Sequence, residues 1–183
     1  MNNKTSSNAS TIGYRGRVNI RLVCNNTIIE EYEQHNEGLP LLFSSLCDFL
    51  AGNKNSLRPT HIALFNTGNK DIQITDESVN KHRCSRFLPV TSTFVKEDQN
   101  KQPCCRYEVS IPLDEISRIN DEDLTQKTVN CLALFAQPAL NSYEAMAYFK
   151  LGQVLTLGAG ANYAASLLIR WDLSFGNLTE QAT

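Results

Sequence analysis

The chain has 183 residues, of which 42% are hydrophobic and 20% charged, and its formal net charge is −2. This length fits one domain with a buried hydrophobic core, and the composition excludes a wholly disordered chain. The charge balance gives no overall attraction to nucleic acid or anionic membranes, and no stretch approaches the roughly 18 consecutive apolar residues of a membrane helix.

The N-terminal residues are polar and rich in Asn, Ser and Thr, without the apolar centre of a secretion signal. We predict a flexible or partner-docked arm over residues 1–13. A single β-sandwich domain is predicted over residues 14–177, and a C-terminal tail over residues 178–183.

The first elements along the chain are predicted to form a hairpin. Hydrophobic and polar residues alternate through residues 15–25, which is the period of a half-buried strand. Residues 24–27 (CNNT) have turn chemistry, and residues 28–34 can return as a second strand.

The period then changes to that of a helix. Asn36 stands at the expected N-cap, Pro40 is tolerated in a first turn, and Gly52 followed by Asn53 favours a C-terminal stop. We predict one internal helix over about residues 39–51. Its apolar stripe across about three turns consists of Leu39, Leu42, Phe43, Leu46, Phe49 and Leu50.

The rest of the chain has the pattern of strands separated by turns and polar loops. Residues 68–82 are predicted to form an exposed loop, and residues 114–125 an acidic linker. About eight or nine strands with one helix predict a mainly β fold, an antiparallel β-sandwich or barrel-like domain. The later strands are predicted at residues 60–66, 86–95, 106–113, 129–136, 145–151, 153–157 and 166–175.

The cysteines and histidines do not follow a metal or nucleophile motif. Zinc ligands pair as C-x2–4-C or H-x3–5-H, whereas the adjacent Cys104 and Cys105 of a strand point to opposite faces. None of the histidines stands in a local context like that of a catalytic cysteine's partner. We therefore predict reduced thiols, no enzymatic activity, and no catalytic, metal or cofactor-binding residue. The residues considered are Cys24, Cys47, Cys84, Cys104, Cys105, Cys131, His35, His61 and His82.

Three further features have structural interpretations. Gly158-Ala-Gly160 lacks the Lys-Ser/Thr ending of a phosphate loop and precedes a strand, so we predict a turn. The acidic residues between 114 and 123 do not have the spacing of a calcium-binding loop. Trp171 alternates with core residues and is predicted to pack in the core.

Three stretches resemble a known group of proteins. The first is RGRVNIRL at residues 15–22, followed by EQHNEG at 33–38 and DFLAGN at 48–53. The second is RPTHIALFN at 58–66, and the third is SLLIRWDLSFGN at 166–177. In pattern and order this layout resembles small virion proteins of tailed phages, especially crAss-like phages of Bacteroidales hosts, over most of residues 14–177.

The resemblance implies a non-enzymatic virion subunit made in the host bacterial cytoplasm, in a tail ring or at the head–tail junction. Its partners would be copies of itself and portal, tail or capsid proteins, with no membrane and no specific nucleic-acid binding. A closed ring needs two different patches on each subunit. The segments expected to reach neighbours are residues 1–10, 68–82, 114–128 and 179–183.

Other functions remain open at this point. The chain can instead be a capsid auxiliary or fibre-base protein, which would be present in far more copies than a ring subunit. A carbohydrate-binding sandwich would expose two or three aromatic residues on one face, and a cysteine-dependent enzyme is a further class. The candidate aromatic residues near the C-terminal strands are Tyr143, Tyr148, Phe149 and Tyr163.

Overall fold

The structure is a computed structural model that describes residues 12–67, 81–96, 103–112, 126–158 and 165–177. Over these residues the chain forms nine β-strands and one α-helix, which confirms the predicted mainly β fold. The elements are β1 (Ile12–Cys24), β2 (Thr27–Gly38), α1 (Pro40–Leu50), β3 (His61–Phe65), β4 (Leu88–Pro89), β5 (Thr91–Val95), β6 (Cys104–Pro112), β7 (Gln126–Ala139), β8 (Ser142–Gly158) and β9 (Ala165–Asn177).

The strands form two antiparallel sheets, and the fold is β-sandwich-like. Sheet A has the order β2-β1-β9-β6-β5, and sheet B has the order β4-β3-β7-β8. The last two residues of β2, Glu37 and Gly38, pair with β8 and so join the two sheets. A second connection between the sheets is Val90, through which the chain passes from β4 of sheet B to β5 of sheet A. The backbone N–H of Val90 donates to the carbonyl of Thr60 at 3.0 Å.

The hydrophobic core lies between the sheets because alternate residues of each strand point inward. Sheet A contributes Val18 and Ile20 from β1 and the alternating apolar series of β9, in which Trp171 is fully buried as the sequence predicts. Sheet B contributes residues of β3, β7 and β8, and Leu42 closes one part of the core from α1. The sheet B residues are Ile62, Leu64, Val129, Leu132, Leu134, Ala136, Met146, Ala147, Phe149 and Leu151.

The opening hairpin is confirmed, and its turn explains the asparagines. Asn25 and Asn26 connect β1 to β2 with φ of 49° and 64°. Two successive residues with positive φ give the turn whose twist matches that of the flanking strands, and Asn tolerates this conformation better than most residues. Asn141 has φ of 62° at the β7–β8 turn.

Three predicted details are wrong. Asn36 does not cap the helix, because it lies within β2 and Leu39 occupies the N-cap without a side-chain hydrogen bond. The predicted strand at residues 86–95 is two strands in different sheets, since Pro89 ends β4 and the chain crosses at Val90.

The third concerns β8. The predicted strands at 145–151 and 153–157 are one strand, Ser142–Gly158, whose pairing shifts register between Val129 and Cys131 of β7 and so accommodates the extra residues. The predicted loop at 68–82, except its last two residues, and the predicted linker at 114–125 lie outside the described residues. Of the predicted turn at 158–160, Gly158 is the last residue of β8 and the other two lie outside the described residues.

Candidate functional site

The helix α1 is the first candidate interaction surface. It begins at Pro40, whose fixed φ suits the first helical turn, and it ends before Gly52, which has φ of 84°. The backbone N–H of Leu39 donates to the carbonyl of Met146 in β8 at 2.9 Å and so holds the start of the helix against sheet B. The sequence-predicted bounds of 39–51 are therefore confirmed to within one residue at each end.

Three of the six residues of the apolar stripe of α1 are exposed. Of the α1 residues, Leu42 and Ser45 are buried, whereas Phe43 is 41%, Phe49 66% and Leu50 74% exposed. Phe43, Cys47 and Leu50 are spaced by four and three residues, so they share one side of the helix. We call the surface of Phe43, Cys47, Phe49 and Leu50 the α1 patch. Side chains of this size leave roughly 300 Å² of surface in contact with water.

The α1 patch also has little charge around it. Asp48 is the one charged residue within α1. Removing apolar groups from water is favourable by about 25 cal/mol per Å², and little charge has to be desolvated together with them. The patch is therefore suited to contact with another apolar protein surface.

The outer face of sheet A is the second candidate surface, and it is polar. Cross-strand neighbours place Arg17 beside Asp172, and Asp172 beside Arg106, across β1, β9 and β6. One row further along, Asn19 lies beside Arg170, and Arg170 beside Glu108. A shallow depression in this face is lined by Arg17, Asn19, Arg21, Glu33, Arg106, Arg170 and Asp172.

Each guanidinium lining this depression is paired with a carboxylate. Arg106 donates to both oxygens of Asp172, at 2.7 and 2.8 Å, and Arg170 Nε donates to Glu108 at 2.8 Å. Arg21 donates to Glu31 at 2.9 Å from Nε, and Arg17 is paired with Glu33. Four cations and four carboxylates therefore compensate one another along the face.

Hydrogen bonds shift the pKa values of two of these groups. Asn19 donates to Glu31 at 2.7 Å, and this bond, together with Arg21, lowers the pKa of the Glu31 carboxyl. The bond to Asp172 raises the pKa of Arg106. Positive and negative side chains therefore alternate across the strands of this face.

The aromatic residues considered for glycan binding are engaged in packing where the structure describes them. Tyr143 is stacked on Phe87, with ring centroids 3.7 Å apart and an interplanar angle of 9°. Tyr148 is half-buried on the same outer face of sheet B, and Phe149 is 2% exposed in the core. Tyr163 lies outside the described residues. A sugar ring would have to displace Phe87 to stack on this face of Tyr143.

The histidines and cysteines are distributed over separate parts of the fold. His61 Nδ1 lies 2.9 Å from Thr60 Oγ1, and its ring meets Tyr143 edge-on at 5.1 Å. Burial lowers the pKa of His61 and raises that of Cys131 to about 12. Cys84 lies beside Thr128 of sheet B, whereas Cys104 begins β6 of sheet A. Within the described ranges, no three His, Cys, Asp or Glu side chains lie close enough to hold a metal ion.

Sequence reasoning missed the exposure of α1. The feature of the sequence that could have indicated this exposure is the presence of apolar residues on more than one side of the helix, as in the consecutive pairs Leu42-Phe43 and Phe49-Leu50. A helix that covers a core on one side needs an apolar stripe only on that side. The segments expected to reach neighbours, residues 1–10, 68–82, 114–128 and 179–183, lie almost entirely outside the described residues.

Comparison of the chain with protein-family models, with curated proteins and with solved structures gives no match. In the described part of the chain, α1 is too short to span a membrane.

Proposed function

We propose that this chain is a non-enzymatic structural subunit of a tailed-phage virion, in a tail ring or at the head–tail junction. The observation that carries the assembly part of the proposal is the α1 patch, where Phe49 and Leu50 are 66% and 74% exposed. The virion placement is supported by the resemblance of residues 14–177 to small virion proteins.

The remaining surfaces suit a subunit with several neighbours. The α1 patch is apolar, while the outer face of sheet A carries paired charges such as Arg106–Asp172. A ring requires two different and mutually complementary surfaces on each subunit, and the α1 patch can provide one of them. Apolar contact would supply most of the affinity, and charge pairing would select the partner.

Mass spectrometry of purified virions from the phage that encodes the chain tests this placement. We expect peptides of the chain in particles freed of lysate proteins by density-gradient banding. A protein from the infected-cell lysate that is absent from virions is the control for carry-over. The proposal fails if the chain is found in the lysate and not in the banded particles.

Copy number separates the ring from the capsid alternative. A ring holds on the order of a dozen copies, set by its closed symmetry, whereas a capsid auxiliary protein is present in far more. Quantification against the portal protein of the same virions decides between them, since a ratio near one favours the ring and a ratio many times larger favours the capsid.

A further inference from the structure

The strand β5 (Thr91–Val95) forms an edge of sheet A. It pairs with β6, from Thr91↔Glu108 to Val95↔Cys104, and with no other strand in the described part of the chain. Thr91, Ser92, Thr93 and Phe94 are all exposed, and Phe94 is 65% exposed. A strand in this position presents a row of backbone N–H and C=O groups that a further strand can pair with.

The edge strands of the two sheets differ in protection. β2 and β8 pair with each other only at Glu37 and Gly38 of β2, and both contain charged residues. The edge strand of sheet B, β4, has two residues, and one of them is Pro89, which has no N–H to donate. β5 has five residues, contains no proline and no charged side chain, and pairs with β6 in one continuous register. Proteins ordinarily protect edge strands with charges, proline or bulges. Among the described strands, β5 is the edge that lacks these protections.

The side chains of β5 suit pairing with a second copy of β5. In an antiparallel pair, residues that lie opposite each other have their side chains on the same face of the sheet. In a pair of identical strands, one residue must therefore lie opposite its own counterpart, with the twofold axis between the two. An axis at Thr93 uses all five residues and places Thr93 opposite Thr93 of the other copy. Because β5 is uncharged, no like charges meet within it, and Thr–Thr pairs are favourable cross-strand neighbours.

The sandwich leaves room for this contact. Ser92 and Phe94 are opposite Tyr107 and Cys105 of β6, and therefore lie on the inner face of sheet A. Both are nevertheless exposed. In the Thr93-centred pairing each Phe94 lies opposite Ser92 of the other copy, and the two Phe94 rings cover part of each other's exposed surface.

We infer that β5 is a self-association surface, through which two copies of this chain pair antiparallel about Thr93 and continue sheet A from one copy into the next. The inference does not depend on the virion placement or on the α1 patch. Pairing of five residues buries less than a stable dimer requires, so the isolated protein is expected to dimerise weakly, with a Kd on the order of 100 μM.

Sedimentation equilibrium of the full chain from about 5 to about 500 μM, a range that brackets this Kd, tests the surface. We expect Phe94→Lys to weaken dimerisation by about tenfold or more, because it places two lysines at the edge contact. The matched control is Ile29→Lys, at an exposed apolar position of β2 that is 57% exposed. Thermal unfolding of both variants verifies that they are folded. A chain that stays monomeric throughout the range, or a dimer equally affected by the two variants, overturns the inference.

Disulfide trapping tests the register separately. In a chain with Cys47 and Cys105 replaced by serine, we expect Thr93→Cys to form a covalent dimer under mild oxidation, because opposed Cα atoms lie within disulfide range. Thr91→Cys is the control, since the proposed register separates its two copies by four residues along the strands. Faster cross-linking of the Thr93→Cys protein supports the register, and equal rates or faster cross-linking at residue 91 overturn it.

Discussion

The ion pair of Arg106 with Asp172 is the least exposed of the pairs on the outer face of sheet A. Its side chains are 23% and 11% exposed, whereas those of Arg170 and Glu108 are 39% and 36% exposed. The two pairs lie on the same strands, β6 and β9, one row apart. They therefore provide a comparison of a less exposed, bidentate pair with a more exposed pair joined by one hydrogen bond.

We expect Asp172→Ala to lower the free energy of unfolding by about 1–2 kcal/mol, since it leaves a mostly buried guanidinium without its bidentate partner. Glu108→Ala is the control, and a loss below about 1 kcal/mol is expected because water screens the more exposed pair. Urea unfolding measures both values. Equal losses would contradict the role assigned to burial.

The helix α1 is buried near its beginning and exposed at its end. Leu42 is 5% exposed and packs in the core, whereas Phe49 and Leu50 face water. Substitution of the buried Leu42 should consequently affect stability, whereas substitution of the exposed Phe49 and Leu50 should affect assembly.

We expect Leu42→Ala to lower the free energy of unfolding by about 2–4 kcal/mol through loss of buried surface and formation of a cavity. The double variant Phe49→Ser/Leu50→Ser should change stability by less than about 1 kcal/mol, since both side chains are exposed in the isolated chain. It should, however, be incorporated into virions at least about tenfold less than the original chain, because the α1 patch is lost.

Leu140→Ser is the control for incorporation, as Leu140 is 88% exposed on the β7–β8 turn. Complementation of a phage that lacks the original gene, followed by quantification of the chain in banded particles, gives the comparison. Normal incorporation of the double variant would show that the α1 patch is not an assembly surface.

The elements that the sequence predicts best are those whose pattern is local. The alternation of β9 predicts both the strand and its buried face, because a period of two residues assigns every side chain to a side. Pro40 and Gly52 predict the ends of α1 through backbone preferences that need no tertiary contact. The crossing of the chain at Val90 is not predictable in this way, because residues on both sides of it have strand character and the sheet that each joins depends on distant partners.

The candidate surfaces were less predictable for the same reason. The polar faces of β1 and β9 follow from their alternation, but pairing Arg106 with Asp172 requires the register between β6 and β9. An apolar stripe indicates that one side of a helix is suited to burial. It does not indicate whether that side is covered by the same chain or by another protein. The exposure of Phe49 and of Phe94 therefore becomes visible only when the sheets are in place.

At the scale of the whole molecule, the two outer sheet faces differ in their burial. The outer face of sheet A is polar, whereas the outer face of sheet B carries a second buried cluster that includes Phe65, Cys131 and Phe135. His61 belongs to this side of the molecule, and burial lowers its pKa. Protonation of His61 is therefore unfavourable in the folded state.

This makes stability dependent on pH below neutrality. As the pH falls, His61 of the unfolded chain binds a proton near pH 6.5, whereas His61 of the folded chain binds one only at lower pH. The free energy of unfolding therefore has its full value above pH 6.5 and decreases as the pH falls below it. We expect the free energy of unfolding to decrease between pH 7.5 and pH 5.5 more in the original chain than in His61→Gln. One proton contributes a slope of at most about 1.4 kcal/mol per pH unit. Urea unfolding at a series of pH values measures the free energy of unfolding of both proteins. The same pH dependence in the two proteins would contradict the role assigned to His61.

We propose that this β-sandwich-like domain is an assembly subunit that uses α1 as a contact. An electron-microscopy reconstruction of the intact virion tests it most directly, because it places the chain and identifies what covers the helix. We expect copies of the chain around a symmetry axis at the neck or tail, with Phe49 and Leu50 buried against a neighbouring subunit. Absence of the chain from the particle, or copies whose α1 faces solvent, would contradict the claim.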